Sequence, residues 1–285
     1  MVPLKLYEYK NPDWGRAFTH ISDALHKWTP DGMIWVSKME EAHVAIVHVV
    51  GMGEIVHLDM KRPTVIVQHC YFTANPDVAD YPNYWEKSLF TTSFHNLPSY
   101  TDRKFQFYGM PWGADPDVFK RPDIDVKKDI KIMTTGEIAD TECLDKVYNA
   151  CQHIGHTMYH TGKNFGYDTR YYQNYSLLPE PDFVKFLQRS QYVSALRMME
   201  GFELMAVEGL MCGARPITFS TDTYRWFHKY AYVLDPFEDI ALQLTFILEK
   251  EPKPIGEEEY KEIVDTFSWK IIMKGFYNKL TETIA

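Results

Sequence analysis

The sequence has few cysteines, no long apolar run and no excess of positive charge. Its four cysteines, Cys70, Cys143, Cys151 and Cys212, show no CxxC spacing, which argues against structural zinc and fits a reducing compartment. We interpret them as buried thiols. No window approaches about 20 apolar residues, the length of a membrane span, and no basic stretch opens the chain ahead of an apolar one. We therefore expect a soluble, cytoplasmic protein.

The charge balance and two missing motifs exclude further classes. A net charge of -9 is the wrong sign for a broad surface that binds nucleic-acid phosphates. DNA could bind only to a local patch such as Lys127, Lys128 and Lys131. No Gly-x-Gly-x-x-Gly follows an apolar run, and Gly162-Lys163 lacks the spacing and hydroxyl residue of a P-loop. Neither a Rossmann dehydrogenase nor a P-loop NTPase is expected.

The sequence does contain short apolar runs that alternate with helix-like stretches, which predicts an α/β fold with parallel strands. The densest run, 44–50, is rich in β-branched residues and precedes Gly51, so we predict a buried strand at the centre of the first sheet. Further strands are predicted at 4–7, 34–36, 64–68, 89–92, 104–108, 130–134, 157–160, 192–196, 215–219 and 231–234. Helices are predicted at 16–28, 143–153, 182–189, 204–212, 240–250, 257–266 and 269–280.

A stretch rich in proline, glycine and charge, 109–131, divides this alternation into two halves. We assign residues 1–122 to a first lobe, 123–265 to a second lobe, and 266–285 to a final helix that packs back on the first lobe. Both lobes are expected to be Rossmann-like, with a cleft between them. Ligands of open parallel sheets bind beyond the carboxyl ends of the strands.

The sharpest candidate for a binding element extends from Arg197 to Ile217, where a strand end, a loop, a helix and another strand follow one another. A helix that begins near Phe202 would direct its free amides at a ligand, and these donors suit a diphosphate. Glu208, about one turn into the helix, can accept two hydrogen bonds from a ribose diol. Glu200 precedes the helix, near the sugar of such a ligand. The alternative for both acids is a capping or solvated position, since acids favour the first turn in any case.

These residues resemble the signature of the retaining GT-B glycosyltransferases of family 4. There, Glu-Gly-Phe-Gly-Leu precedes Glu-Ala-Met-Ala-Cys-Gly-x-Pro-Val-Ile; here, Glu-Gly-Phe-Glu-Leu at 200–204 precedes Glu-Gly-Leu-Met-Cys-Gly-Ala-Arg-Pro-Ile at 208–217. Residues 111–119 are similar to the interdomain Pro-Asn-Gly-Val-Asp-x-x-x-Phe of the family. Residues 267–269, Phe-Ser-Trp, are similar to the opening of its terminal helix. The resemblance implies an α/β fold of the GT-B type.

The resemblance also implies an activity, namely transfer of a sugar from a nucleoside diphosphate sugar such as a UDP- or GDP-sugar to a hydroxyl acceptor, with retention and without a metal or other cofactor. Glu208 would bind the donor ribose. Glu200 would lie beside the transferred sugar, and so would His69, which follows a strand of the first lobe and could equally be structural. The other donor-binding candidates are Gly15, Gly136, Lys163, Arg197, Gly201, Phe202, Glu203 and Leu204.

Two departures from the family pattern change the expected charge of the donor pocket. The family has Gly-Arg and then Lys-Gly after the first strand of the second lobe, whereas this chain has Gly-Glu-Ile-Ala-Asp-Thr-Glu at 136–142. Glu203 replaces the second glycine of the signature. A diphosphate would then need Arg197, Lys163 or Arg170 as its cation, or a divalent ion that the family does without. Arg197 has an alternative role, which is to pair with Glu203.

Two other functions stay open at this point. One is a phage or viral enzyme that glycosylates hydroxymethylated bases of DNA, which the compact length suggests and the net acidity opposes. The other is a catalytically silent binding or scaffold protein with the same fold, which the missing cations suggest.

Overall fold

The structure is a computed structural model that describes residues 2–11, 16–50, 62–69, 81–122, 124, 126–198 and 202–285, with the backbone alone at 16–18. The chain divides into two compact units. The first unit comprises Met1–Trp112 and Trp269–Ala285, and the second comprises Gly113–Ser268. In the described parts, each unit has one parallel sheet of six strands with helices. The predicted α/β fold class is confirmed.

The sheet of the first unit has the order β2-β1-β3-β4-β5-β6. Its strands are β1 (Leu4–Tyr9), β2 (Met33–Trp35), β3 (Val44–Val49), β4 (Thr64–Gln68), β5 (Phe90–Ser93) and β6 (Phe107–Gly109). Every residue of β3 and β4, the two middle strands, is buried, as their continuous apolar runs predict. The helices α1 (Arg16–Lys27) and α2 (Tyr81–Lys87) belong to this unit.

The sheet of the second unit has the order β12-β11-β10-β7-β8-β9, which is the strand order of the dinucleotide-binding folds. Its strands are β7 (Ile130–Gly136), β8 (Met158–Gly162), β9 (Tyr172–Tyr175), β10 (Ser190–Ser194), β11 (Arg215–Phe219) and β12 (Tyr232–Leu234). Its helices are α3 (Leu144–His153), α4 (Glu180–Arg189), α5 (Leu204–Met211), α6 (Ile240–Leu248) and α7 (Glu257–Phe267).

The last helix, α8 (Trp269–Ile284), belongs to the first unit. Its Tyr277 hydroxyl donates a hydrogen bond of 2.7 Å to the carbonyl of Leu25 in α1, and the ring of Phe276 meets Phe90 of β5 edge to face. α8 begins at Trp269, the start predicted for the last helix, whereas residues 266 and 267, which we grouped with it, belong to α7. Among the helices that the structure describes, none has the length and apolar character needed to cross a bilayer.

The first unit ends at Trp112, ten residues before the boundary placed at 122. Residues 113–122 belong to the second unit because they pack on α7. The amide of Ala114 donates to the carbonyl of Phe267 at 2.9 Å, and the guanidinium of Arg121 lies over the ring of Tyr260 at 4.0 Å. Proline and glycine mark this segment as irregular, but they do not indicate which unit it packs against.

Candidate functional site

The sheet of the second unit reverses its strand order between β7 and β10. These strands are neighbours, yet the chain continues from β7 to β8 on one side and from β10 to β11 on the other. In open parallel sheets, ligands bind beyond the carboxyl ends of the strands at such a switch point. β7 ends at Gly136 and β10 at Ser194. The residues that follow these two positions are therefore the first candidates for a ligand site.

Helix α5 follows β10 and has Glu203 as its N-cap residue. The amides of a first helical turn have no partner within the helix and carry a partial positive charge, so an anion is favourable there. Phe202, just before the helix, packs against Phe227 with 5.0 Å between ring centroids. Glu200 and Gly201, and the candidate Gly15 of the other unit, lie outside the described residues. Their roles stay predictions.

Glu208 lies in the second turn of α5, at a position that is only 7% exposed. All the residues from Met205 to Met211 are buried, and a helix buried on every side normally carries apolar side chains. Burial, reinforced by the charge of Glu208, raises the pKa of the Cys212 thiol to about 12. The structure therefore excludes the solvated helix face that was the alternative for this carboxylate.

Two glycines fix the position of α5. A Cβ atom on Gly209 would lie 2.5 Å from Cγ2 of Val193, so only glycine lets the helix approach β10 this closely. At the other end Gly213 has a φ of +85°. Its amide donates to Leu210, and the amide of Ala214 donates to Gly209. This is the Schellman pattern expected of a glycine after a helix.

Arg197 follows β10 and lies between two carboxylates. Its guanidinium is 3.0 Å from Oε1 of Glu142 and 2.6 Å from Oε1 of Glu203. Burial raises the pKa of Glu142 and of Glu203, and Arg197 opposes that shift in both. The pairing with Glu203 that we considered as an alternative is thus present. The positive charge of Arg197 is already balanced by the two acids.

The loop after β7 holds Glu142 close to the backbone. The Ile138 amide donates to Oε2 of Glu142 at 3.0 Å, and a side chain on Gly136, whose φ is +142°, would collide with the same carboxylate. Gly162, at the end of β8, has a φ of +132° and lies against the carbonyl of Gly136. The amide of Lys163 donates to that carbonyl at 3.2 Å. Gly136 and Lys163 are thus neighbours at the same edge of the sheet.

The side chains of the two remaining candidate cations have partners of different kinds. The ammonium of Lys163 lies 5.8 Å from the centre of the Phe165 ring. The guanidinium of Arg170 pairs with Asp168 at 2.6 Å, and this pair is largely exposed. Lys163 is the nearer of the two in sequence to the end of β8.

The first unit has its own set of polar groups, which leads to the carboxyl edge of its sheet. His69 follows β4, is 2% exposed and packs against Trp112, with 5.3 Å between ring centroids. Its Nε2 atom is 2.8 Å from Nδ1 of His48 in β3, and Nε2 of His48 is 3.0 Å from Oε1 of Glu8 in β1. The structure therefore places His69 at the end of a buried chain of polar groups.

Sequence reasoning missed Glu8 and His48. His48 is the one polar residue of β3, and Glu8 shares β1 with Lys5 among apolar and aromatic residues. Neither pattern indicates the partner of the polar side chain. The available signal was the position of His48 within the most apolar run of the chain, where a polar side chain needs a hydrogen-bond partner.

Tyrosines are frequent between 167 and 175, and their rings pack within the second unit. Tyr167 stacks on Tyr148 with 4.5 Å between centroids, Tyr175 meets Phe186 at 4.8 Å, and Tyr172 is buried. His160, close in sequence to His153 and His156, is buried and has Nδ1 2.8 Å from the hydroxyl of Thr134. No group of three or more potential metal ligands occurs among the residues that the structure describes.

Solved structures with the same arrangement of elements include three enzymes of sugar transfer. Sucrose-phosphate synthase from Thermosynechococcus elongatus is 11% identical over 85% of this chain and 74% of that chain, with a TM-score of 0.68. A glycosyltransferase involved in avilamycin A biosynthesis is 12% identical over 99% of both chains, with a TM-score of 0.67. The chain has the GT-B fold. A trehalose-6-phosphate synthase is 9% identical over 98% of this chain and 99% of that chain, with a TM-score of 0.67.

At the level of sequence, no protein family and no curated protein matches the chain. The GT-B fold therefore rests on three-dimensional similarity, and the activity has to be argued from the site.

Proposed function

We propose that this protein is a glycosyltransferase that takes a sugar from a nucleoside diphosphate sugar and transfers it to a hydroxyl acceptor. One observation carries the proposal, namely that a buried carboxylate, Glu208, lies in a helix that starts at the switch point of a Rossmann-like sheet. This edge is where such sheets bind nucleotides, and Glu208 stands where the resemblance to family 4 places the acid that binds the donor ribose.

The proposed roles follow the direction of α5. The backbone amides of Phe202, Glu203 and Leu204 donate hydrogen bonds to the diphosphate, because the helix N-terminus favours negative charge. Glu208 accepts hydrogen bonds from the hydroxyls of the ribose, as the resemblance to family 4 implies. Glu200 and Gly201, ahead of the helix, lie beside the diphosphate and the transferred sugar.

His69 is the proposed contact of the first unit with the transferred sugar. Gly15 is proposed to let a substrate approach the backbone, because glycine has no side chain. Retention of the anomeric configuration belongs to the same proposal and is supported by the resemblance of 200–217 to the retaining family. Analysis of the product's anomeric configuration by NMR tests it.

The charged side chains around α5 determine which cation is available to bind the diphosphate. Arg197 is balanced by Glu142 and Glu203, so a diphosphate has to draw Arg197 away from them or use Lys163. Buried carboxyls with raised pKa values can also take up a proton, which lowers their repulsion of an anion. We propose that these groups, together with the helix N-terminus, bind the donor without a metal ion.

The same pairing of Arg197 favours a second candidate, a protein that binds a nucleotide sugar without transferring it. A cation held by two acids is less available to stabilise the charge that develops on the leaving phosphate. Binding without turnover of any donor would identify this case.

A thermal-shift screen against UDP-, GDP- and ADP-sugars tests the proposal, because a ligand that binds only the folded state raises the melting temperature. Each donor is measured with and without EDTA, and a stabilising donor is then assayed for hydrolysis and transfer. Absence of stabilisation by all nucleotide sugars at millimolar concentration contradicts the proposed function. Stabilisation that EDTA abolishes contradicts the metal-free donor site.

A further inference from the structure

The second unit contains a cavity of about 600 Å³ at the amino edge of its sheet. Three of the residues that line the cavity mark this edge: Lys128 lies two residues before β7, Gln191 is the second residue of β10, and Arg215 is the first residue of β11. The proposed donor site lies beyond the carboxyl ends of the same strands. The cavity is therefore a separate feature, and its volume is typical of small-molecule sites, which enclose about 300–1,000 Å³.

One wall of the cavity follows α6 in the chain and is held in place by Arg215, which is 5% exposed. Its Nε atom donates to the carbonyl of Lys253 at 2.8 Å, and its Nη2 atom donates to the carbonyl of Pro254 at 3.1 Å. The other N–H groups bind the carbonyl of Tyr230 and the carboxylate of Glu259. Because these bonds use all five N–H groups of the guanidinium, Arg215 shapes the cavity and keeps no donor for a ligand.

Two further polar residues of the lining also bind within the protein. The Oε1 atom of Gln191 accepts a hydrogen bond from the ammonium of Lys131 at 2.9 Å, and its Nε2 atom donates to the carbonyl of Lys128 at 3.1 Å. The guanidinium of Arg121 is 2.9 Å from Oε1 of Glu257. These contacts fix the positions of the side chains around the cavity, so the cavity is formed before any ligand arrives.

Lys128 differs from these groups because its half-buried ammonium keeps unused donors. It donates to the carbonyl of Gly213, just after the C-cap of α5, at 3.0 Å, whereas an ammonium has three N–H groups. Within the described part of the chain, no carboxylate forms an ion pair with Lys128, and the charged groups that act on it are Cys212 and Arg121. Burial lowers the pKa of Lys128 to about 8, and an anion beside the ammonium would oppose that shift.

A second group of lining residues is apolar, namely Pro122, Val126, Pro252, Pro254 and Ile255. The side chains of proline, valine and isoleucine have no hydrogen-bonding groups, so they gain nothing from a sugar or a phosphate. They do stabilise an apolar group that leaves water to pack against them. A ligand that matches the whole cavity therefore combines one anionic group with an apolar body.

We propose that this cavity binds a small organic carboxylate, whose oxygens accept hydrogen bonds from the ammonium of Lys128 and whose apolar body packs against Pro252, Pro254 and Ile255. Two N–H groups remain on Lys128, and a carboxylate has two oxygens. Hydrogen bonds between an ammonium and a carboxylate are among the strong ones. A phosphate group has more charge and more acceptor oxygens, which the apolar lining would leave without partners.

NMR of the full chain, labelled with ¹³C at Cε of lysine, follows Lys128 directly, and its signal is assigned by its loss in Lys128→Met. Phenylacetate is the probe. Phenethyl alcohol has the same ring without the charge, and acetate has the charge without the ring. We expect phenylacetate to shift the Lys128 signal and to bind at least about tenfold more tightly than either analogue, because each analogue lacks the charged hydrogen bond or the buried ring. An unshifted Lys128 signal, or equal binding of phenylacetate and phenethyl alcohol, overturns the proposal.

A pH titration of the same signal gives a second readout. The pKa of Lys128 is about 8 in the protein without ligand. We expect a saturating concentration of phenylacetate to raise this pKa, because a neighbouring carboxylate favours the charged form of an amine. Phenethyl alcohol should not raise it. A Lys128 pKa that phenylacetate leaves unchanged shows that the carboxylate does not contact the ammonium, and this result overturns the proposal.

Lys128→Met removes the charge and keeps an unbranched apolar side chain. We expect its affinity for phenylacetate, measured on the backbone amide signal of Gly213, to fall at least about tenfold. Lys127→Met is the matched control, because Lys127 is the exposed neighbour of Lys128 and does not line the cavity. It should bind phenylacetate like the wild type, and equal losses in the two variants overturn the role of Lys128. If Lys128→Met does not fold, the series of ligands on the wild type decides alone.

The carboxylate site and the proposed donor site are tested independently. If no nucleotide sugar binds, the proposed function fails, and the Lys128 signal still decides whether the cavity binds phenylacetate. If a nucleotide sugar binds, it should leave phenylacetate in place, because the two sites lie at opposite edges of the sheet. A nucleotide sugar that competes with phenylacetate at Lys128 would make the cavity part of the donor site and overturn the proposal.

Discussion

The carboxylate of Glu142 lies against the α-carbon of Gly136, in the space that a side chain at residue 136 would occupy. The backbone conformation of Gly136, the last residue of β7, and the position of the Glu142 carboxylate therefore depend on each other. Because Glu142 also holds Arg197, a change at Gly136 should affect the charge distribution at the start of α5.

Replacing Gly136 by alanine should destabilise the protein by about 2–4 kcal/mol, because a strained backbone conformation adds to a collision with a held carboxylate. Gly155→Ala is the matched control. Gly155 also has a positive φ, of +71°, but no atom lies within 4 Å of a Cβ placed there. The free energy of unfolding, measured with urea, should fall by about 1–2 kcal/mol in this control. Equal losses in the two variants would show that Glu142 does not fill the space beside Gly136.

Stability should depend on pH through Glu142 and Glu203. Burial raises the pKa of both carboxyls above the usual 4.5, so the folded state binds their protons more tightly than the unfolded state does. The resulting contribution to the free energy of unfolding is complete below pH 4.5. It is lost as the pH rises through the raised pKa values of the folded state. Arg197→Met should extend this loss to higher pH, since the cation that opposes the shift is gone.

At pH 8 we expect Arg197→Met to lower the free energy of unfolding by about 2 kcal/mol, allowing for the partial exposure of Arg197. At pH 5 the loss should be smaller. Arg189→Met is the control, because Arg189 also pairs through Nε and a terminal nitrogen, but with the single carboxylate of Asp129 at the surface. Its effect should stay below about 1 kcal/mol at both pH values. A loss for Arg197→Met that is independent of pH would contradict the coupling.

Glu208→Gln should weaken binding of the nucleotide-sugar donor by about 2–5 kcal/mol, because a buried charged partner of the ribose is lost. Isothermal titration calorimetry measures the change with the donor that the screen identifies. Glu249→Gln, at the exposed end of α6, serves as the control and should bind normally. Equal affinity of the wild type and a folded Glu208→Gln would remove Glu208 from the donor site.

The described cysteines should be inert in the folded protein. Burial raises the pKa of Cys143 to about 11 and that of Cys151 and Cys212 to about 12, and the thiolate is the reactive form. In Cys70→Ser, Ellman's reagent at pH 8 should release no thiol rapidly before denaturant is added. Rapid release in the absence of denaturant would refute the interpretation of these residues as buried thiols.

Much of the fold could be predicted because its strands are continuous apolar runs. The predicted bounds 64–68 and 215–219 are those of β4 and β11, and the strand at 44–50 is central as expected. β9 was missed because Tyr-Gln-Asn-Tyr at a sheet edge is polar. α2 was missed because Pro82 suggests a break, although proline is tolerated in the first turn of a helix.

The candidate site was predictable only where its residues are close in sequence. Glu203, Leu204 and Glu208 belong to one segment whose pattern indicates a helix start. By contrast, Glu8, His48 and His69 come from three strands, and the contacts that bring them together depend on the register, which no local pattern specifies. Arg197 and Glu142 meet for a similar reason, since β7 and β10 are adjacent only in the folded sheet.

The chain leaves the first unit after Trp112 and returns to it at Trp269. The second unit is thus an uninterrupted insertion whose two ends are hydrogen-bonded, from the amide of Ala114 to the carbonyl of Phe267. During synthesis on the ribosome the inserted unit is complete before α8 has been made, whereas the first unit has to wait for its final helix. A nascent or truncated chain that stops before Trp269 would therefore carry a finished second unit beside a first unit whose core lacks Phe276 and Tyr277.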